Sequence, residues 1–140
     1  MATNDTSTPK GRENVPQTVC YMRKKVTFAD AGVSGGIPVD WLRKGTRILG
    51  TTVYIDTAFN AATTNVLTVG INSTAYDNIV TNAQSIPATP GIKQNLPPTG
   101  TALVALAADS QVFVKYVQTG TAATTGDATI VIAFVNDRDK

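Results

Sequence analysis

The sequence predicts an all-β domain, an antiparallel β-sandwich of jelly-roll type with an extended N-terminal arm. Three observations lead there. Residues 47–59 alternate apolar and polar with a period of two, the mark of a half-buried strand. About seven or eight strand-like runs are separated by Gly, Pro, Asn and Asp turn signals, and no stretch repeats with the period of an amphipathic helix. Only 16% of the residues are charged, and threonine and alanine stand where a solvated helix would carry Lys and Glu.

Each element follows in order. Residues 1–17 are polar, hold Pro9, Gly11 and Pro16, and have no hydrophobic period, so they read as an extended arm. Residues 18–140 then form one sandwich domain, since a chain of 140 residues fits a single core. The run TVCYMRKKVTF (18–28) reads as a strand interrupted by charges, and residues 29–40, with Gly32, Gly35, Gly36 and Pro38, as a loop. Arg43-Lys44-Gly45 reads as a turn. In the strand over 47–59, Leu49, Val53, Ile55 and Phe59 take the apolar face, and the return over 65–71 completes a hairpin. Four prolines make residues 85–100 a stiff loop with one short strand near Ile92, and residues 101–107 read as a further strand. Residues 111–118 are β-branched and aromatic, hence a strand. After a Thr/Ala/Gly turn, DATIVIAFV (127–135) is apolar on both faces and reads as a central, doubly buried strand. Long loops crossing between strands favour a jelly roll over a meander.

The chemistry available is narrow. The chain has no histidine, which removes imidazole bases, Ser–His and Cys–His pairs and imidazole metal sites. Glu13 is its one glutamate and lies in the arm. Asp30, Asp40, Asp77, Asp109 and Asp127 fall at turns or strand starts, where Asp side chains bond nearby main chain. Asp137 and Asp139 around Arg138 read as a solvated tail. Cys20 is the single cysteine and reads as a small buried apolar residue. The glycines at 32, 35 and 36 lack the Gly-Lys-Ser/Thr ending of a phosphate loop, and Asn72-Ser73-Thr74 matches a glycosylation sequon without a secretory signal to support it. The expectation is a binding or scaffolding protein, not an enzyme, with no catalytic residue, no cofactor and no metal. No apolar run approaches the length of a membrane span, so no membrane partner is expected.

Charge is distributed unevenly. Residues 1–47 carry eight Lys or Arg against four acids, and residues 48–140 carry four against six. The candidate contact residues are therefore Arg23, Lys24, Lys25, Trp41, Arg43, Lys44 and Arg47, a basic set with one aromatic suited to an acidic protein surface. A net charge of only +2 and 6% aromatic residues argue against direct binding of nucleic acid.

Three stretches carry a resemblance. VTFADAGVSGGIPVD (26–40) leads into WLRKGTRI (41–48), the hairpin TTVYIDTAFNAATTNVLTVGI (51–71) follows, and the hairpin VKYVQTGTAATTGDATIVIAFV (114–135) ends the chain. Their order and composition resemble the capsid cement, or decoration, proteins of tailed-bacteriophage heads, jelly-roll proteins of the Bordetella podovirus type. The resemblance implies a structural protein made in the host cytoplasm and carried on the outer capsid surface of the virion. It implies binding to the major capsid protein across neighbouring subunits. Exposed edge strands need cover that a closed symmetric assembly would supply, dimer or trimer alike, so self-association is expected too, with a homodimer preferred to a homotrimer. The alternative is a jelly-roll module of a phage tail or fibre that binds a glycan or receptor. Trp41, Tyr54 and Tyr76 are then the candidate sugar platforms.

Overall fold

The structure, a computed structural model, describes residues 18–136. The arm (residues 1–17), Glu13 and the Asp137–Arg138–Asp139 tail lie outside them. Among the described residues, seven strands form two antiparallel sheets: β1 (Cys20–Thr27), β2 (Ile37–Leu42), β3 (Arg47–Thr57), β4 (Thr64–Gly70), β5 (Gly91–Leu96), β6 (Ser110–Thr119) and β7 (Asp127–Val135). One sheet has the order β1-β7-β3-β5 and the other β2-β6-β4. Successive strands alternate between the sheets, and the segment near Val80 adds a single bridge to Val69 beside β4, at the place of an eighth strand. This is the expected β-sandwich, with the alternating connections of a jelly roll.

Those connections correct the two expected hairpins. β3 pairs with β7 and β5, and β4 pairs with β6, so residues 58–63 cross from one sheet to the other. The same holds for residues 120–126 between β6 and β7. Phe59 makes the first crossing inward, 1% exposed and with its ring 4.6 Å from that of Tyr116. The two crossing loops then fasten to each other, since Asn60 Oδ1 accepts from the backbone N–H of Thr124 (2.8 Å) and of Thr125 (3.0 Å). Burying Phe59 between the sheets outweighs a tight turn, which would have kept β3 and β4 in one sheet and left that ring in water.

The core lies between the sheets. Met22 and Val26 from β1, Val53 and Ile55 from β3, and Ala128, Ile130 and Ile132 from β7 face Leu67, Val69, Val112, Val114 and Tyr116. Fully burying each such Val, Leu or Ile contributes about 1.5–3 kcal/mol. Leu49 corrects the expected apolar face, because it is 54% exposed and Ile48 is buried. Ile48 pairs with Phe134 and Gly50 with Ala133, so Leu49 is the extra residue of a β-bulge that resets the alternation.

Three other expectations change. Residues 37–42 form an edge strand that begins within the expected loop (29–40) and runs past it, and Pro38 is tolerated there because an edge leaves one side of the ladder unused. Residues 101–107 form no strand. A 3₁₀ turn (Gly100–Ala102) opens the stretch, and single bonds hold the rest, with Leu106 N–H donating to Thr46 O and Gly45 N–H to Leu106 O. β7 is central, as expected, but its outer face is less buried than its inner one: Thr129 is covered there, while Val131 and Ala133 are half-buried.

Candidate functional site

The two outer faces of the sandwich differ. Over the β2-β6-β4 sheet the chain lays its own loop. Tyr76 stacks on Phe113 (centroids 4.5 Å apart, planes at 23°), and Lys115 Nζ donates to Thr74 O at 2.7 Å. Over the β1-β7-β3-β5 sheet nothing comparable lies among the described residues. There the register aligns a floor of small side chains, Thr129, Val131 and Ala133 on β7, beside the long side chains of β1 and that of Tyr54 on β3. Lys25, Arg23 and Tyr21 stand opposite them on β1, and Tyr54, Thr52 and Gly50 on β3.

The result is a trough along β7 with two open grooves that share Val131. One has a volume of about 380 Å³ and is lined by Arg23, Tyr54, Asp56, Thr129 and Val131. The other, about 270 Å³, has Tyr21, Leu49, Thr52 and Asn95 around Gly50, Val131 and Ala133. Three of these lining residues sit at bulges. Leu49 is the extra residue between Ile48 and Gly50, and Asp56 is the extra residue between Ile55 and Thr57. Asn95 lies in the irregularity where β5 passes from Lys93 to Leu96, with a left-handed φ of 55°, a conformation Asn adopts more readily than most residues. Gly50 inside a strand pattern is the one sequence signal for such a bulge.

The residues expected to contact a partner do not form one cluster. Arg23 and Lys25 point outward from β1 into or beside the trough, and Lys25 Nζ lies 3.1 Å from Asp127 Oδ2. Lys24 has the opposite parity, that of Met22 and Val26, and is half-buried. Trp41 lies near the end of β2 on the other sheet and is 59% exposed. Arg43 and Lys44 form the exposed turn between β2 and β3, held by Asp109 Oδ1 accepting from Lys44 N–H at 2.7 Å. Arg47 opens β3 opposite Val135, at the end of the sandwich where Cys20 pairs with Phe134. The structure thus brings Arg43, Lys44 and Arg47 together at one end and sets Arg23 and Lys25 along β1.

The other polar candidates have structural partners. Asp30 accepts from Thr27 N–H and Thr27 Oγ1 (2.9 Å each), Asp40 from Trp41 N–H (2.7 Å), and Asp77 from Asn72 Nδ2 (2.7 Å). Asn72, the residue of the sequon, also accepts from Asp77 N–H, so both ends of its amide are engaged. Cys20 is half-buried, less than expected, and its thiol faces Thr18 O at 3.4 Å. No group of three or more metal-ligating side chains occurs among the described residues. Of the three sugar-platform candidates, Tyr76 is occupied by Phe113, Trp41 is exposed on the edge strand, and Tyr54 lines a groove with charged neighbours.

No protein-family model and no curated protein matches the chain. Solved structures do. A chain in the acid-stable capsid of Helicobacter pylori bacteriophage KHP30 superposes with a TM-score of 0.61 at 10% identity, over 85% of this chain and 89% of that one. A chain of the cyanophage Pam1 capsid asymmetric unit gives 0.56 at 19% identity, over 86% of each. One from the capsid of Ralstonia phage GP4 gives 0.51 at 15% identity, over 86% of this chain and 84% of that one. The likeness is one of fold. It spans nearly the whole of both chains in every pair, so each neighbour is a separate chain of similar length.

Proposed function

We propose that this chain is a structural protein of a tailed-phage head, a cement protein that sits on the outer capsid surface and bridges neighbouring major capsid subunits. One observation carries the reading: three whole-chain fold neighbours all come from phage capsids, and each is a small separate chain. The cement role, the outer position and self-association as a homodimer are parts of this proposal. The mechanism is multivalent. Each copy makes modest contacts with two or more shell subunits, and contacts tied through one rigid sandwich release together or not at all. Arg43, Lys44, Arg47 and Trp41 at one end, with Arg23 and Lys25 along β1, offer the shell its cationic contacts. Lys24 is the least available of the set. The polar segment 1–17 leads into β1 and adds to a neighbouring strand edge or groove on docking.

The test is a titration of the purified protein onto heads that lack it, with occupancy read by gel densitometry. An exposed ion pair is worth about 0.2–1 kcal/mol, so Arg43→Glu with Lys44→Glu, which also adds like-charge repulsion, is expected to weaken docking about tenfold. The loss is expected to shrink at high salt. Removal of residues 2–17 is expected to lower occupancy while the sandwich stays folded. Full occupancy by both variants would overturn the docking assignment, and no binding of the unaltered protein would overturn the capsid role itself.

A further inference from the structure

We propose that the trough on the outer face of the β1-β7-β3-β5 sheet is a binding groove for a neutral oligosaccharide. The inference is independent of the capsid reading, because it rests on the isolated chain.

The character of the trough selects the ligand. Its floor runs along β7, a central strand whose backbone N–H and C=O groups are taken by β1 on one side and β3 on the other. An extended peptide would find no main-chain partners there, so recognition falls to side chains. Those present are an aromatic ring at each groove, Tyr54 in one and Tyr21 in the other, and polar tips around them. A tyrosine ring offers a flat apolar platform with a polar edge, suited to a sugar, which is apolar on its ring face and polar at its rim. In the larger groove the Asp56 carboxylate can accept from two neighbouring hydroxyls, the Arg23 guanidinium can donate a fork of N–H groups, and Thr129 adds a hydroxyl on the floor. Arg23 and Asp56 balance in charge, which favours a neutral ligand over an anionic one. In the smaller groove Thr52 and Asn95 supply the polar tips beside Tyr21. The shared residue Val131 makes the two grooves consecutive subsites along one line, as a chain of sugars requires.

The bulges are the second observation. Two strands break their ladder at three places, and each break supplies a residue that lines the trough: Leu49, Asp56 and Asn95. Bulges cost ladder hydrogen bonds and are concentrated where a side chain must be re-aimed. Besides any part they play in the sandwich, all three breaks turn their residue toward the same trough.

The experiment is a two-dimensional amide NMR titration of the full chain with maltotetraose, cellotetraose and chitotetraose, each to about 10 mM, enough to detect a millimolar site. At least one is expected to shift the amides of β7 and of residues 52–56. Tyr54→Ala and Asp56→Asn are expected to weaken that binding at least tenfold, with the rest of each spectrum intact. Trp41→Ala is expected to leave it unchanged. Absence of shifts with all three sugars would overturn the proposal, and so would shifts that survive Tyr54→Ala.

Discussion

Tyr116 is the largest side chain shut away from solvent among the described residues, 1% exposed, and it anchors the first crossing loop to the core. Its ring packs on Phe59, and its hydroxyl donates to Asn65 Oδ1 at 2.7 Å. Burial raises the phenol above its ordinary pKa of 10.0, because the phenolate would lose its hydration. The folded state therefore resists ionisation that the unfolded chain permits. The stabilisation is complete below about pH 10 and falls as the pH rises through the folded value. Tyr116→Phe is expected to cost about 1 kcal/mol at pH 7 through the lost hydrogen bond. Urea unfolding of both proteins at pH 7, 9 and 11 should find the gap between them narrowing above pH 10; a constant gap would contradict the burial argument. A further residue-scale constraint was invisible in sequence. A Cβ on Gly70 would stand 2.5 Å from the backbone carbonyl carbon of Tyr76, and nothing local announces that approach.

At the scale of elements, the strongly patterned strands were readable, whereas β2 was read largely as loop and residues 101–107 as a strand that does not form. β3 follows from its periodicity, β6 from its β-branched and aromatic content, and β7 from its apolar run. The one-turn helix α1 (Asn82–Ser85) follows from a signal that was present, since Thr81 and Gln84 form a capping box. Its role emerges only in the fold. Asn82 Oδ1 accepts from Leu67 N–H (3.1 Å), and Ser85 Oγ donates to Leu67 O (2.7 Å), so side chains occupy the free edge of β4. An open edge is a template for pairing with another chain. Asn82→Ala combined with Ser85→Ala is expected to cost about 2–4 kcal/mol and to raise the aggregation rate at moderate temperature, read by urea midpoint and light scattering. An unchanged midpoint would mean that water replaces these side chains without loss. The candidate trough belongs to this scale too. Tyr54 was visible as a possible platform, but Asp56, Asn95 and Tyr21 join it only through register and bulges.

For the whole molecule, alternation between sheets makes every strand depend on partners distant in sequence. β3 lies between β5 and β7, and β2 waits for β6. Residues 18–85 alone would contain β1 to β4 without one of the pairings that build either sheet. That fragment is expected to remain unfolded by circular dichroism and to show no cooperative transition. The intact chain should refold slowly for its size, in milliseconds to seconds. A fragment that unfolds cooperatively would contradict the topology.

By itself the sequence determined the class of this protein. Period-two alternation, β-branched runs and Pro/Gly punctuation leave little besides an antiparallel sandwich, and the absence of histidine narrows the chemistry, because these are properties of side chains and local backbone. Tertiary structure decided which strands are neighbours, which face of β7 meets solvent and which side chains share a groove. A crossing loop and a hairpin have the same local composition, and the choice between them lies in where Phe59 and Tyr116 can be buried. A bulge is one extra residue opposite a partner strand, so it has no meaning until that partner is in place.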